Sequence, residues 1–330
     1  MNSLSSDIIV NHIMPRVDPH ALAATSSAML AAAQTSQWYQ CYNPKKIARS
    51  MALSDNLLYP YDNDSKLFIK SCKYGSLVLV QDILERGVQL WPDQIAAAIC
   101  GAAGGGYIDV LCVLYKNIID FYKYENAAIV SAIKYDQIEV VQFMVSQGAD
   151  LSGDAELYFS YAICNDHLNI VQYMVEMCGY DCDNDTAKWL MQIASANGKL
   201  EILQYLVSLG ADIRANNDRA LVYACEGGHL ATVKYLVSLG ADPQSKGNRC
   251  IKRAISEEHL DTVKYLVSQG ADIDANGGIP MRRAIESNNL DMVQYLVSEG
   301  AELRLGEAMK IADTFGAARV AEYLDSLADE

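Results

Sequence analysis

The chain repeats itself, and that periodicity restricts its fold more than any other property. The segments HLATVKYLVSLGAD (229–242), HLDTVKYLVSQGAD (259–272) and NLDMVQYLVSEGAE (289–302) recur every 30 residues. Copies at a relaxed spacing of about 31 begin at Gln137, His167 and Lys199, and weaker ones occupy 76–89 and 107–120. GAARVAEYLDSL (316–327) closes a series of nine units running from about Lys66 to about Leu327. A globular chain of 330 residues would divide into two or three domains with separate cores. A stacked array has no such limit, because each unit needs only its neighbours.

The apolar positions identify the unit. Leu200, Leu230, Leu260 and Leu290 form one row, continued by Leu77, Ile108, Ile138, Leu168 and Ala318. Three residues later stand Leu203, Val233, Val263 and Val293, and three later again Leu206, Leu236, Leu266 and Leu296. Steps of three mark one stripe of a short helix. Upstream, the pairs Leu221/Ala224, Ile129/Ala132, Met191/Ala194, Ile251/Ala254 and Met281/Ala284 mark a first helix whose small residue admits the second closely. Between the two helices stand Gly75, Gly106, Asp136, Asp166, Gly198, Gly228, Glu258, Asn288 and Gly316. Gly, Asn and Asp tolerate the left-handed conformation that ends a helix, and only Glu258 departs from that set. Gly87, Gly148, Gly179, Gly210, Gly240, Gly270 and Gly300 end the second helix for the same reason.

These residues resemble the ankyrin repeat, whose second helix reads roughly GHLEVVKLLLEKGAD. The resemblance covers about four-fifths of the chain and is most specific through 199–302. It implies an all-α, ankyrin-type helical solenoid of about nine helix pairs with an N-terminal helical cap. The usual T-P-L-H opening of the first helix is absent; RALV (219–222), RCIK (249–252) and IPMR (279–282) stand there, with Pro280 alone surviving. The period is also about three residues short. The distance from the small alanine to the closing glycine is kept, so the loss falls in the connecting hairpins, which should reduce to turns.

Residues 1–42 do not follow the repeat, 43–65 (with Asn43-Pro44 and SDNLLYPYDNDS) read as a linker, and 66–330 as the solenoid. The first segment resembles a degenerate F-box: Ile8 and Ile13 fall on one helical face, Asp18-Pro19 forms a turn, and Leu22 opens the next helix. Ser5 replaces the first proline of that pattern, and Ala28-Met29-Leu30-Ala31 its Cys-Arg-x-Trp. A working F-box would present Ile8, Ile13, Pro19 and Leu22 to a Skp-type adaptor of a cullin ubiquitin ligase. The alternative is a cap that only shields the first repeat, which every solenoid needs. An F-box joined to repeats of this texture resembles the large ankyrin families of giant, mimivirus-like DNA viruses of amoebae, and bacterial effectors delivered into amoebae combine the same modules.

The net charge of −15 argues against a nucleic-acid backbone or an anionic membrane as partner. No run of eighteen apolar residues offers a span, and the opening MNSLSSDIIVNHIMPRVD lacks a signal peptide's basic and apolar regions. Nine scattered cysteines fit a reducing setting, cytoplasmic (host cytoplasm if viral) or nuclear.

Catalytic and metal motifs are missing. His167, His229 and His259 share one position of the unit, which spaces them on the order of 10 Å apart. A shared zinc needs nitrogens within about 2.1 Å, so they read as consensus residues. Cys178 and Cys182 have no second ligand pair. Gly101–Gly106 lacks the Lys-Ser/Thr of a phosphate loop. No cofactor and no enzyme is expected. Tyr173, Tyr205, Tyr235, Tyr265, Tyr295 and Tyr323 read as rings stacked between repeats, and Asp120, Asp150, Asp181, Asp212, Asp242 and Asp272 as turn formers.

The informative departure is cationic. Lys252, Arg253, Arg282 and Arg283 occupy two positions of the first helix, Lys310 follows, and Arg219 and Arg249 lie nearby. The chain therefore reads as a protein-binding scaffold with a footprint for an acidic partner, or as stitching of these cations to Glu226, Glu257 and Glu286. A purely structural or decoy repeat protein is the alternative function.

Overall fold

The structure, a computed structural model, describes residues 63–179, 185–302 and 304–328. These form eighteen α-helices and no strand among the described residues. They divide into two compact units, residues up to Ala149 and from Asp150 onward. In the first unit three pairs stack: α1 (Asn63–Lys73) with α2 (Leu77–Glu85), α3 (Pro92–Gly104) with α4 (Ile108–Asn117), and α5 (Glu125–Lys134) with α6 (Ile138–Ser146). A 3-10 turn, Phe121–Tyr124, leads into α5.

The second unit holds six pairs: α7 (Ala155–Cys164) and α8 (Leu168–Cys178), α9 (Asp185–Ala196) and α10 (Leu200–Ser208), α11 (Ala215–Glu226) and α12 (Leu230–Ser238). Then follow α13 (Ser245–Ser256) and α14 (Leu260–Ser268), α15 (Ala275–Glu286) and α16 (Leu290–Ser298), α17 (Leu305–Phe315) and α18 (Ala318–Ala328). The first helices α7, α9, α11, α13, α15 and α17 pack each on the next.

Every first helix ends alike. The residue after the break donates its N–H to the carbonyl five residues back, that of the core alanine except in α1, where it is Ser71; His229 N to Ala224 O is 3.0 Å and His259 N to Ala254 O 2.8 Å. That closure requires a left-handed residue between them. All nine break positions have positive φ, Glu258 included at 63°. The glutamate therefore adopts the conformation of its neighbours instead of departing from it. Two connections after second helices are turns, as the short period implied: Leu209–Arg214 joins α10 to α11 and Leu239–Gln244 joins α12 to α13, neither with a projecting hairpin.

Within each unit the core lies between the helices of each pair and between successive pairs. Leu203, Val233, Val263 and Val293 are fully buried, as are Leu206, Leu236, Leu266 and Leu296. The first apolar row of the sequence reading is corrected: Leu200, Leu230, Leu260 and Leu290 are half-exposed at the helix start. The third buried row lies two residues further on, at Leu79, Val110, Val140, Ile170, Ile202, Thr232, Thr262, Met292 and Val320. A helix one turn after its cap points its first side chain along the edge of the neighbouring pair and its third into it. Thr232 and Thr262 hid the row, since a threonine reads as a surface residue.

Ser195 is fully buried with no hydrogen-bond partner for its hydroxyl among the described residues. Ile133, Ile163, Ile255 and Ile285 are buried at the same position of other repeats. Because an unsatisfied buried hydroxyl carries a desolvation cost, Ser195→Ala is expected to stabilise the protein by roughly 0.5–1.5 kcal/mol, read as a higher urea midpoint. A lower midpoint would show that the hydroxyl has a partner.

Candidate protein-binding face

In the second unit the core alanines Ala162, Ala194, Ala224, Ala254, Ala284 and Ala312 face the second helices and are buried. Helical spacing turns the residues one, two and five before each alanine to the opposite side. Five before stand Leu157, Trp189, Arg219, Arg249, Ile279 and Glu307. Two before stand Ser160, Gln192, Val222, Lys252, Arg282 and Lys310, and one before Tyr161, Ile193, Tyr223, Arg253, Arg283 and Ile311. None of these is buried. The face changes character along the stack, from apolar and aromatic on α7 and α9, through α11, to cationic on α13 and α15.

All seven cations picked out in the sequence belong to this face. Arg219 lies over the Tyr223 ring at 5.5 Å and donates to its hydroxyl at 3.1 Å. Arg253 donates to Glu226 of the preceding repeat at 3.3 Å. Arg282 and Arg283 both donate to Glu286 of their own helix, at 2.8 and 3.2 Å. Glu286 holds the Arg282 guanidinium above its usual range through that hydrogen bond and its charge. Of these three pairs, the Arg253–Glu226 pair joins two repeats and the other two lie within α15. Arg253, Arg282 and Arg283 stay 55%, 59% and 57% exposed. Each uses one of five donors in these bonds, so most of the fork remains available. Arg249, Lys252 and Lys310 have no carboxylate partner among the described residues.

The remaining candidates are structural. His229 Nε2 lies 2.9 Å from the Ala196 carbonyl, and His259 Nε2 2.9 Å from that of Glu226, so each ring fastens its second helix to the preceding repeat. No group of three or more metal-ligating side chains occurs among the described residues. The tyrosine row does not stack ring on ring as the sequence suggested. Instead Lys234 lies over Tyr265 at 5.6 Å and Lys264 over Tyr295 at 5.7 Å, a cation of one repeat covering the ring of the next. Partial burial pushes the Tyr173, Tyr205, Tyr265 and Tyr295 hydroxyls up.

The aspartates form turns as expected at four positions: Asp150, Asp212, Asp242 and Asp272 accept from the backbone N–H two residues on, at 2.8–2.9 Å. Asp120 instead pairs with Lys123 at 2.6 Å. Burial pushes the Cys72 thiol to about 12 and raises that of Cys178. Asp181 and Cys182 lie outside the described residues, as do Ile8, Ile13, Pro19, Leu22 and the whole F-box-like segment. A recess of about 240 Å³ lined by Gly75, Gly106 and Tyr107 in the first unit is smaller than the ~300–1,000 Å³ of small-molecule sites. No described helix is long and apolar enough to cross a membrane.

Two readings escaped the sequence. One is the apolar half of the face, which a comparison of the positions five before each alanine reveals as a switch from Leu157 and Trp189 to Arg219 and Arg249. The other is a row of left-handed residues 30 apart at the start of the first helices: Asp218, Asn248 and Gly278. Buried Asp218 accepts from Arg214 at 2.9 Å and from the Asp242 N–H at 3.3 Å, tying one turn to the next. Pro280 follows in the first regular turn of α15, where its missing N–H costs nothing.

Comparison with known proteins agrees with this geometry. Residues 159–247 and 246–306 match the family model for ankyrin repeats, in three copies. The chain is 38% identical over 88 residues to ankyrin repeat protein L72 of Acanthamoeba polyphaga mimivirus, 26% of this chain and 22% of that one. It is 28% identical over 79 residues to ankyrin repeat protein L66 of the same virus, 24% of this chain and 13% of the other. It is 33% identical over 86 residues to alpha-latrotoxin-Lh1a of Latrodectus hasselti, 26% and 6%. The match thus spans about a fifth or less of the relatives' own length. The helix pairs of 159–306 are thus similar to ankyrin repeats.

Proposed function

We propose that the chain is a non-enzymatic protein-binding scaffold that engages its partner on the first-helix face of the second unit, with the cationic end taking acidic groups. One observation carries this reading. On a chain of net charge −15, seven cations gather on one face, and even those already paired stay more than half exposed. Cations needed only for stitching would be spent on carboxylates; Arg249, Lys252 and Lys310 are not.

The resemblance of residues 1–42 to an F-box adds a finer reading: the scaffold delivers its partner to a cullin-type ubiquitin ligase through a Skp-type adaptor. The similarity to mimivirus proteins supports a setting in the cytoplasm of an infected host.

Two triple variants of the full chain test the face. Arg249→Glu/Lys252→Glu/Lys310→Glu removes cations without stranding a carboxylate; Arg253→Glu/Arg282→Glu/Arg283→Glu strands Glu226 and Glu286. Both should weaken binding of a partner captured from amoebal lysate at least tenfold and flatten its salt dependence. The first should leave the melting temperature within about 4 °C. Unchanged affinity in both would return the cations to stitching and favour the structural or decoy alternative. The ligase arm is tested separately with purified Skp: binding at tens of micromolar, lost in Ile8→Asp/Leu22→Asp, supports it, and no association removes it.

A further inference from the structure

We infer that the face takes a linear segment of mixed chemistry, apolar and aromatic at one end and acidic at the other, laid across the first helices of residues 155–315. The inference rests on the reading above that this face is the contact surface. It deepens that reading by naming what the occupant must look like.

The rows carry it. Position five before the core alanine is Leu157 on α7 and Trp189 on α9, then arginine on α11 and α13. Leu157 is 46% exposed and lies one helical turn from half-buried Tyr161. Position one before the alanine changes one repeat later, from Tyr161, Ile193 and Tyr223 to Arg253 and Arg283, while position five returns to Ile279 on α15. No single kind of ligand fits both halves. An acidic stretch alone would leave the indole and leucine in water, and an apolar one alone would desolvate the guanidinium groups without pairing them.

The dimensions set the length. Adjacent first helices lie roughly 10 Å apart, so six of them span on the order of 50 Å. An extended chain rising about 3.3 Å per residue covers that in roughly 15 residues. The segment is therefore a peptide of about that length, with leucine- and aromatic-type side chains for α7 and α9 and four or five carboxylates for α13 and α15.

Fluorescence anisotropy of the full chain with three 16-residue peptides tests it. The composite joins an apolar-aromatic half to a half of glutamates; in each of the others one half is replaced by Gly-Ser. At about 0.15 M salt the composite should bind at least tenfold tighter than either half-peptide. Trp189→Ala should reduce the composite to the affinity of the acidic half-peptide, and Leu157→Ser, at a site 46% exposed, should weaken it several-fold while an unchanged melting temperature reports an intact fold. Arg249→Glu/Lys252→Glu should reduce the composite to the affinity of the apolar half-peptide. If the composite binds no tighter than the acidic half-peptide, or both apolar variants bind it as the native chain does, the mixed segment is wrong. The scaffold reading fails on a different result, unchanged partner affinity in both charge-reversed triples.

Discussion

Leu236→Ala is expected to cost about 2–5 kcal/mol of unfolding free energy, whereas Leu230→Ala on the same helix should cost less than half as much. Leu236 is fully buried, and it sits in the row of Leu206 and Leu266 on the neighbouring pairs. The deleted atoms leave a cavity walled on two sides by repeats that cannot close over it without shifting their own neighbours. Its backbone role is untouched, since the Leu236 carbonyl still accepts the Ala241 N–H at 3.1 Å. Leu230 lies in the row that sequence periodicity put in the core and that the structure leaves half-exposed. Urea titration followed by helical circular dichroism measures both. A loss below about 1 kcal/mol for Leu236 would remove it from the core, and equal losses would restore the Leu230 row to it.

That contrast marks what the sequence could and could not reveal. The left-handed breaks were legible because a backbone with positive φ restricts side-chain choice, and nine copies of one break expose the restriction. The buried rows were legible wherever Leu and Val fill them. They were lost where Thr232 and Thr262 do, because periodicity registers polarity and not enclosure. The lysines over Tyr265 and Tyr295 depend on which repeat a side chain leans toward, which spacing within one repeat does not encode. The cationic end of the face stood out because charge is visible residue by residue. Its apolar end did not, because Trp189 and Tyr223 look like core until the helix pairs are assembled and their side is seen to be open.

Gly228→Ala is expected to cost about 3 kcal/mol, while Gly240→Ala, also at a left-handed position, should cost only about 1 kcal/mol. Both glycines have positive φ, 69° and 97°, so both substitutions carry the strain of an L-residue there. Their surroundings differ. A Cβ at Gly240 meets nothing within 4 Å, but one at Gly228 would lie 2.6 Å from His259 Cγ. That ring cannot swing aside freely, because its Nε2 is held 2.9 Å from the Glu226 carbonyl. The same arrangement recurs within each unit: Tyr107 covers Gly75, Gln137 covers Gly106, and His229 covers Gly198. At two break residues that have side chains, the equivalent position of the next repeat holds a partner instead: Asn289 donates to Glu258 at 3.3 Å and Lys199 pairs with Asp166 at 3.6 Å. A double-mutant cycle separates clash from strain. His259→Ala alone loses about 1 kcal/mol with its hydrogen bond. In that background Gly228→Ala should cost only what Gly240→Ala does, so the two changes combine to less than their sum by roughly 1–3 kcal/mol. Additive costs, or equal costs at Gly228 and Gly240 in the native background, would show that conformational strain alone keeps glycine at the break and that the ring sets nothing.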